Sequence, residues 1–446
     1  MVRAARLVPF VLAFLLSACQ IVAPEIARDI FPGGSTSYRV AESAFNQLIE
    51  RHVDRPDSKL LVTGALDAVD ALLVKQGLTP AYDRPPLTAN PSSDFAKLAE
   101  TLDLLAEKYP ANDEAAKAAG LDRQHHLERV ATDGMAKSLN ECHTYFLDPP
   151  RAKTFNQPPQ EYSGIGAQIA ASRPNELPEI ADVFPGSPAE RAGVRTGDRI
   201  KSVDGTDVSG FSAEEVATRI RGPEATTVTI VLARGTEDRT FSIVRARLVP
   251  PRVISREYEQ GSIGYVRVAA FNGDVTKQTS DAVQALLVSG ARGIVLDLRN
   301  NPGGDLSAAQ DIGSIFTKGT LVRQVGRDGQ KRELNTNDRW FWSSPKPLVV
   351  LVNERSASGA EIVAAGVRST GVGTVVGTRT AGCVGVAQPR ELPDGSMLLI
   401  TLGRMQDAKT GEELNGEGRG VVPDLATTAE ADEQLATAIS ALRQRL

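Results

Sequence analysis

Two serines in Ser356-Ala357-Ser358-Gly359-Ala360-Glu361 carry the first chemical signal in this chain. They follow an unbroken apolar run, Leu348–Val352, whose length suits a buried strand. An Ala- and Val-rich stretch with helical spacing comes next and ends near Gly371. The hydroxyls therefore stand where a strand hands over to a helix N-terminus, among small residues that leave room for a substrate. Acyl transfer needs that setting, because peptide N–H groups at a helix start can stabilise the oxyanion of a tetrahedral intermediate. The hexapeptide alone fits a plain N-capping serine on a crossover helix better.

Two other stretches could contribute. Arg299-Asn300-Asn301-Pro302-Gly303-Gly304 lies between a strand pattern and a helix pattern. Paired glycines there can turn N–H groups toward an anion, or simply make a βα turn. Gly134 to Leu147, GMAKSLNECHTYFL, holds His143, the one histidine of four outside a polar helical face. An imidazole there can act as a base or as a structural hydrogen-bonding group. No metal or cofactor is called for: His125 and His126 are adjacent rather than at ligand spacing, and HExxH does not occur.

The elements that must position these residues read as follows. At 446 residues the chain has room for two or three domains. The N-terminus carries Arg3 and Arg6, a short apolar core Leu7–Leu16, and then Leu16-Ser17-Ala18-Cys19. That run is too short for a stable span and reads as a removed leader, residues 1–19. It resembles the lipobox of bacterial lipoproteins, which implies acyl chains on Cys19 and an extracytoplasmic, membrane-tethered protein. Gln20 after the lipid cysteine leans toward an outer membrane, if the cell has one. The formal charge of −5, with no basic stripe, argues against nucleic acid as a partner. Only Cys142 and Cys383 remain after the leader, and in an oxidising compartment they suggest one disulfide.

Residues 20–37 form a tether broken by Pro24, Pro32, Gly33 and Gly34. Residues 38–160 are a helical region, with two helices split at Pro56, one over Asp94–Tyr109 and one from Leu121 to Leu139. Within it, residues 78–125 have no assignable role. Residues 161–248 turn β-rich. Gly164-Ile165-Gly166 makes a turn into a strand, and Ser212-Ala213-Glu214-Glu215 is a capping box opening a helix. The order resembles a PDZ domain throughout, which places Gly164, Ile165 and Gly166 at the loop that binds a terminal carboxylate. Residues 249–446 alternate strand and helix, an α/β layered core. The fold class is thus α/β (α+β) and multidomain, with a helical N-terminal element and an inserted PDZ domain.

GMAKSLNECHTYFLDP, the PDZ-like segment, GIVLDLRNNPGGDL, LVNERSASGAEIVAAGV, VVGTRTAG and GVVPD stand in that order. Together they resemble the carboxy-terminal processing (tail-specific) proteases and their tricorn-like relatives. The resemblance implies a serine endopeptidase that captures protein or peptide C-termini and cuts near them. It carries the nucleophile to Ser358, and the oxyanion donors to Gly359 with Gly303 or Gly304.

The processing branch uses a lysine 25 residues after the serine, and that position here is Cys383. No lysine lies between Lys346 and Lys409. A thiol cannot stand in for an amine base, since its neutral form is acidic and its thiolate competes as nucleophile. The tricorn-like branch uses a histidine and a glutamate instead, which implies His143 as base and Glu417 as its orienting carboxylate. Cys142 and Cys383 then both fall at active-site positions, where a bridge would clamp the His143 segment onto the core. The rival readings are a catalytically inactive peptide-binding scaffold and a small-ester hydrolase, the latter leaving the PDZ-like segment without a use.

Overall fold

The fully buried strands Gly293–Asp297 and Leu348–Val352 lie at the centre of a six-stranded sheet. Its order is Val253–Tyr258, Ile263–Val268, Gly293–Asp297, Leu348–Val352, Gly373–Gly377, Leu425–Ala426. The first pair is antiparallel and every later pair parallel. Strands without polar alternation must be covered on both faces. Helices Val275–Val288, Leu306–Phe316 and Gly359–Thr370 pack in the core cluster on one face, and helix Ala431–Arg443 packs on the other. The computed structural model describes residues 37–109, 120–155, 161–170, 177–340, 346–428 and 431–446. The expected leader, Cys19 and nearly all of the tether lie outside the described residues.

A second, antiparallel sheet joins the two ends of the chain. Its longest strand, Met397–Asp407, pairs with Thr320–Gly326, with Gly385–Glu391 and with Tyr145–Leu147. Helices Arg39–Arg51, Ser58–Lys75, Pro91–Lys108 and Arg123–Lys137 share one apolar core with Leu398 and Ile400 of that sheet and Leu392 just beyond its Gly385–Glu391 strand. Tyr145–Leu147 runs antiparallel to Met397–Leu399, so the segment carrying His143 is held against the core by main-chain pairing. The hairpin Thr320–Gly326/Lys331–Asn335 escaped the sequence reading, although Asp328-Gly329 between its strands is a recognised turn signal.

The inserted domain is a sheet in the order Ala167–Ala170, Glu179–Val183, Arg199–Val203, Thr227–Arg234, Glu237–Val244, with its own core. Helix Ala213–Ile220 lies beside Ala167–Ala170 and opens with the expected capping box: Ser212 Oγ accepts from Glu215 N, and Glu215 from Ser212 N. The domain meets the core through polar contacts. Asp182 pairs with buried Arg267, and Asn300 Nδ2 donates to the Ala181 carbonyl at 3.4 Å. A cavity of about 320 Å³ lies between the two, lined by charged residues such as Arg199, Arg256, Arg355 and Glu179.

Candidate active site

Strand Leu348–Val352 ends at Asn353, and the next six residues decide which serine can react. Ser356 is fully buried, and its hydroxyl is committed: it accepts from Asn353 N at 2.9 Å and donates to the Leu298 carbonyl at 2.8 Å. Ser358 is half-buried; it forms a capping box with Glu361 at the start of helix Gly359–Thr370, and its hydroxyl donates to no group among the described residues. Its backbone sits at φ 55°, ψ −115°, outside the ordinary wells for a residue with a side chain. That strain is held by hydrogen bonds on its N–H, which donates to the Cys383 carbonyl at 2.7 Å and to Glu361 Oε2 at 3.0 Å.

Glu361 is the organiser that motif reading passed over. It is completely buried, and burial pushes its carboxyl above the usual range against the donors around it. Those donors are the N–H groups of Ser358, Gly382 and Cys383 and the Thr380 hydroxyl. One carboxylate thus ties the turn bearing Ser358 to the 380–383 loop. The signal was in the sequence: Ser358-Gly359-Ala360-Glu361 has capping-box spacing.

The glycine loop is built for close approach. Gly303 lies at φ 95°, and a Cβ there would stand 2.5 Å from Ser358 Cβ and 2.8 Å from Gly359 N. Its own N–H, however, donates to Asn301 Oδ1 at 2.8 Å, so of the expected oxyanion donors Gly303 is already paired. Buried Asn301 fixes the loop in turn, donating to the Val268 carbonyl and accepting at its own carbonyl from Ala357 N. Of the expected donors, Gly359 opens its helix, where an N–H has no intrahelical partner. The Gly304 N–H has no hydrogen-bond partner among the described residues. Below the loop, Asp297 is fully buried; it accepts from Arg299 and from Tyr265 Oη at 2.8 Å.

Cys142 and Cys383 come to bonding distance, 2.07 Å between sulfurs, with Cα atoms 5.9 Å apart. His143 Nδ1 faces them, 3.3 Å from Cys142 Sγ and 3.6 Å from Cys383 Sγ. The imidazole therefore borders the residue whose carbonyl holds Ser358 N. Among the described residues, no hydrogen bond joins its ring to the Ser358 hydroxyl. Burial pushes the His143 pKa down, and the Glu141 charge offsets part of that. Burial also opposes ionisation of Glu141, but hydrogen bonds from His52, Thr144, Thr401 and His143 N bring its carboxyl down to about 2.

Glu417 does not take up the expected orienting position. It lies exposed in a turn, and no hydrogen bond or ion pair links it to His143. The backbone explains this: Gly416 N donates to the Gly382 carbonyl and Arg379 to the Gly418 carbonyl, so the loop docks by its main chain with the side chain outward. The carboxylate beside His143 is Glu141 instead. Gly164, Ile165 and Gly166 form the turn between strands Tyr162–Gly164 and Ala167–Ala170, close to helix Ala213–Ile220.

A serine on a strained strand-to-helix turn, a close glycine loop and an inserted peptide-binding module define the class of PDZ-bearing serine peptidases. Comparison with known proteins makes this specific: residues 262–427 match peptidase family S41 and residues 179–234 match the PDZ domain. The chain is 30% identical over 370 residues to a "Probable CtpA-like serine protease" of Staphylococcus aureus (strain COL), covering 82% of this chain and 70% of the relative. Other Staphylococcus aureus proteins of that description are matched over 60% of their length. A "Carboxyl-terminal-processing protease" of Synechocystis sp. is 33% identical over 303 residues, 66% of this chain and 70% of the relative. The solved photosystem II D1 C-terminal processing protease has the same fold, with a TM-score of 0.55 at 23% identity over 91% of this chain and 97% of that one. This chain belongs to peptidase family S41, the serine-type peptidases that include the CtpA-like proteases. Among the described residues, no helix is long and apolar enough to cross a membrane.

Proposed function

We propose that this chain is an endopeptidase of the bacterial envelope that captures protein C-termini in its PDZ domain and cleaves at or near them. The observation that carries the reading is Ser358 at φ 55°, its N–H tied to the Cys383 carbonyl and its hydroxyl proton uncommitted among the described residues. Ser358 Oγ attacks the scissile carbonyl while His143 takes its proton, and the oxyanion receives the Gly359 N–H, with Gly304 as second donor. The C–N bond then breaks, and His143 returns the proton to the leaving amine. Water, deprotonated by the same imidazole, opens the acyl-enzyme and releases the new carboxyl terminus. Nδ1 of His143 faces the sulfurs, so Nε2 is the nitrogen that exchanges protons. The disulfide holds that ring on the core in place of the lysine. The Gly164-Ile165-Gly166 turn receives the substrate carboxylate, and acyl chains on Cys19 tether the mature protein to the membrane.

The test is Ser358-dependent labelling by a serine-reactive phosphonate, together with cleavage of a peptide bearing a free C-terminus and of its amidated twin. Labelling lost in Ser358→Ala, and faster cleavage of the free-carboxylate peptide, are expected. A second reading, a peptide-binding scaffold without activity, draws on the absent lysine and on the lack of a His143–Ser358 hydrogen bond. Retained peptide binding with no labelling at any pH would decide for the scaffold.

A further inference from the structure

The environment of His143 has a second chemical use. Cys142 Sγ, His143 Nδ1 and Cys383 Sγ lie within 4.8 Å of one another, a cluster of soft ligand atoms contributed from opposite ends of the chain. Bonded to each other, the sulfurs have no charge to offer a cation. Separated as thiolates they are strong ligands for zinc. We propose that reduction of the Cys142–Cys383 pair creates a Zn²⁺ site with His143 Nδ1, so that bridge and metal are mutually exclusive states of one cluster.

The geometry fits a tetrahedral ion. Zn–S of about 2.3 Å and Zn–N of about 2.0–2.1 Å set a nitrogen-to-sulfur edge of about 3.6 Å. The observed Nδ1–sulfur separations are 3.3 and 3.6 Å. Only the two sulfurs must part, to about 3.8 Å, and reduction permits that. Two anchors keep the ligands near each other once the covalent link is gone. Tyr145–Leu147 stays paired with Met397–Leu399, and Cys383 N stays bonded to Glu361. Cys142 is exposed, so a reductant can reach the bridge. Water fills the fourth position, and Asn415 Oδ1, 3.9 Å from Cys142 Sγ, lies beside the cluster.

The conversion balances with a dithiol as reductant. Its two S–H groups become a disulfide, and its two electrons and two protons turn the Cys142–Cys383 S–S bond into two thiols. Both thiols release their protons to solvent when Zn²⁺ binds. The ion then occupies Nδ1 and pins the ring, which removes His143 from proton transfer; this consequence alone rests on the proposed function.

The experiment uses the full chain carrying Cys19→Ser, which removes the third cysteine, in oxidised and in phosphine-reduced form. After dialysis against micromolar Zn²⁺ and removal of excess ion, metal content is measured by mass spectrometry. The reduced chain is expected to hold one zinc and the oxidised chain none. His143→Ala or Cys383→Ser should lower occupancy at least about tenfold at limiting zinc. Because a variant could misfold, Co²⁺ added to the unsubstituted cluster gives a second readout: a thiolate-to-cobalt charge-transfer band in the reduced form only. No zinc uptake on reduction, or full uptake by Cys383→Ser, would overturn the site. Zinc uptake that leaves phosphonate labelling of Ser358 unchanged would leave the site standing and overturn the role of His143 as base.

Discussion

The Ser358 N–H donates to the carbonyl oxygen of Cys383 at 2.7 Å, so the proposed nucleophile and the cysteine at position 383 are one hydrogen bond apart. Position 383 carries no amine, but its main chain grips the turn bearing Ser358, and Glu361 secures both residues. A missing lysine therefore does not mean a collapsed site.

The covalent link between Cys142 and Cys383 closes a loop of 241 residues. In the chain-entropy account such a loop restricts the unfolded state by roughly 5 kcal/mol. Cys142→Ser with Cys383→Ser is expected to lower the melting temperature by several degrees, and added reductant should reproduce the shift. Scanning calorimetry of oxidised and reduced protein checks this; equal midpoints would contradict it.

His143 is shifted downward by burial, with Glu141 resisting. In the proposed role of general base, the imidazole works only when neutral. The acid limb of kcat/KM should therefore fall below the ordinary imidazole range near ~6.5, with activity rising through that limb and level at neutral pH. Replacing Glu141 by Gln removes the opposing charge and should move the limb further down. A profile flat across this region would exclude the imidazole.

Gly303 has a sharp steric requirement. At φ 95°, an added methyl would meet Ser358 Cβ at 2.5 Å and Gly359 N at 2.8 Å. Gly303→Ala is expected to lower kcat/KM by about 10² or more, since both nucleophile and oxyanion donor must move. Peptide binding by the PDZ domain, measured by fluorescence anisotropy, should be unchanged.

Acid should weaken the fold through Glu141, whose side chain is only 7% exposed. Its carboxyl is held to about 2 in the folded chain, below the unfolded value near ~4.3. The sign is that of a depressed acid: the stabilisation is complete above pH ~4.5 and disappears as pH falls toward ~2. It amounts to roughly 3 kcal/mol. Urea midpoints measured across that window should fall steeply in the parent and more gently in Glu141→Gln.

Much of this was legible in the residues. Unbroken apolar runs such as Leu348–Val352 announced buried parallel strands, and the capping box at Ser212 gave a helix start that the structure reproduces. The choice of Ser358 over Ser356 came from resemblance, and its physical cause is visible only in three dimensions, where Ser356 is consumed by Asn353 and Leu298. Gly303 and Glu417 show the limit of motif spacing. Spacing identifies a loop but not which N–H is already spent on Asn301, nor which side chain turns to solvent once the loop's backbone docks. Glu141 was hidden for a similar reason, because its partners His52 and Thr401 are remote in sequence.

Tyr145 lies opposite Leu399, and that register has a temporal meaning. Translation supplies the residues around position 143 early, but the strand that pairs with Tyr145–Leu147 is made only near position 400. A half-made chain therefore lacks the main-chain pairing between these two parts of the molecule. A product truncated before residue 397 should therefore show no phosphonate labelling of Ser358, however well its earlier domains fold.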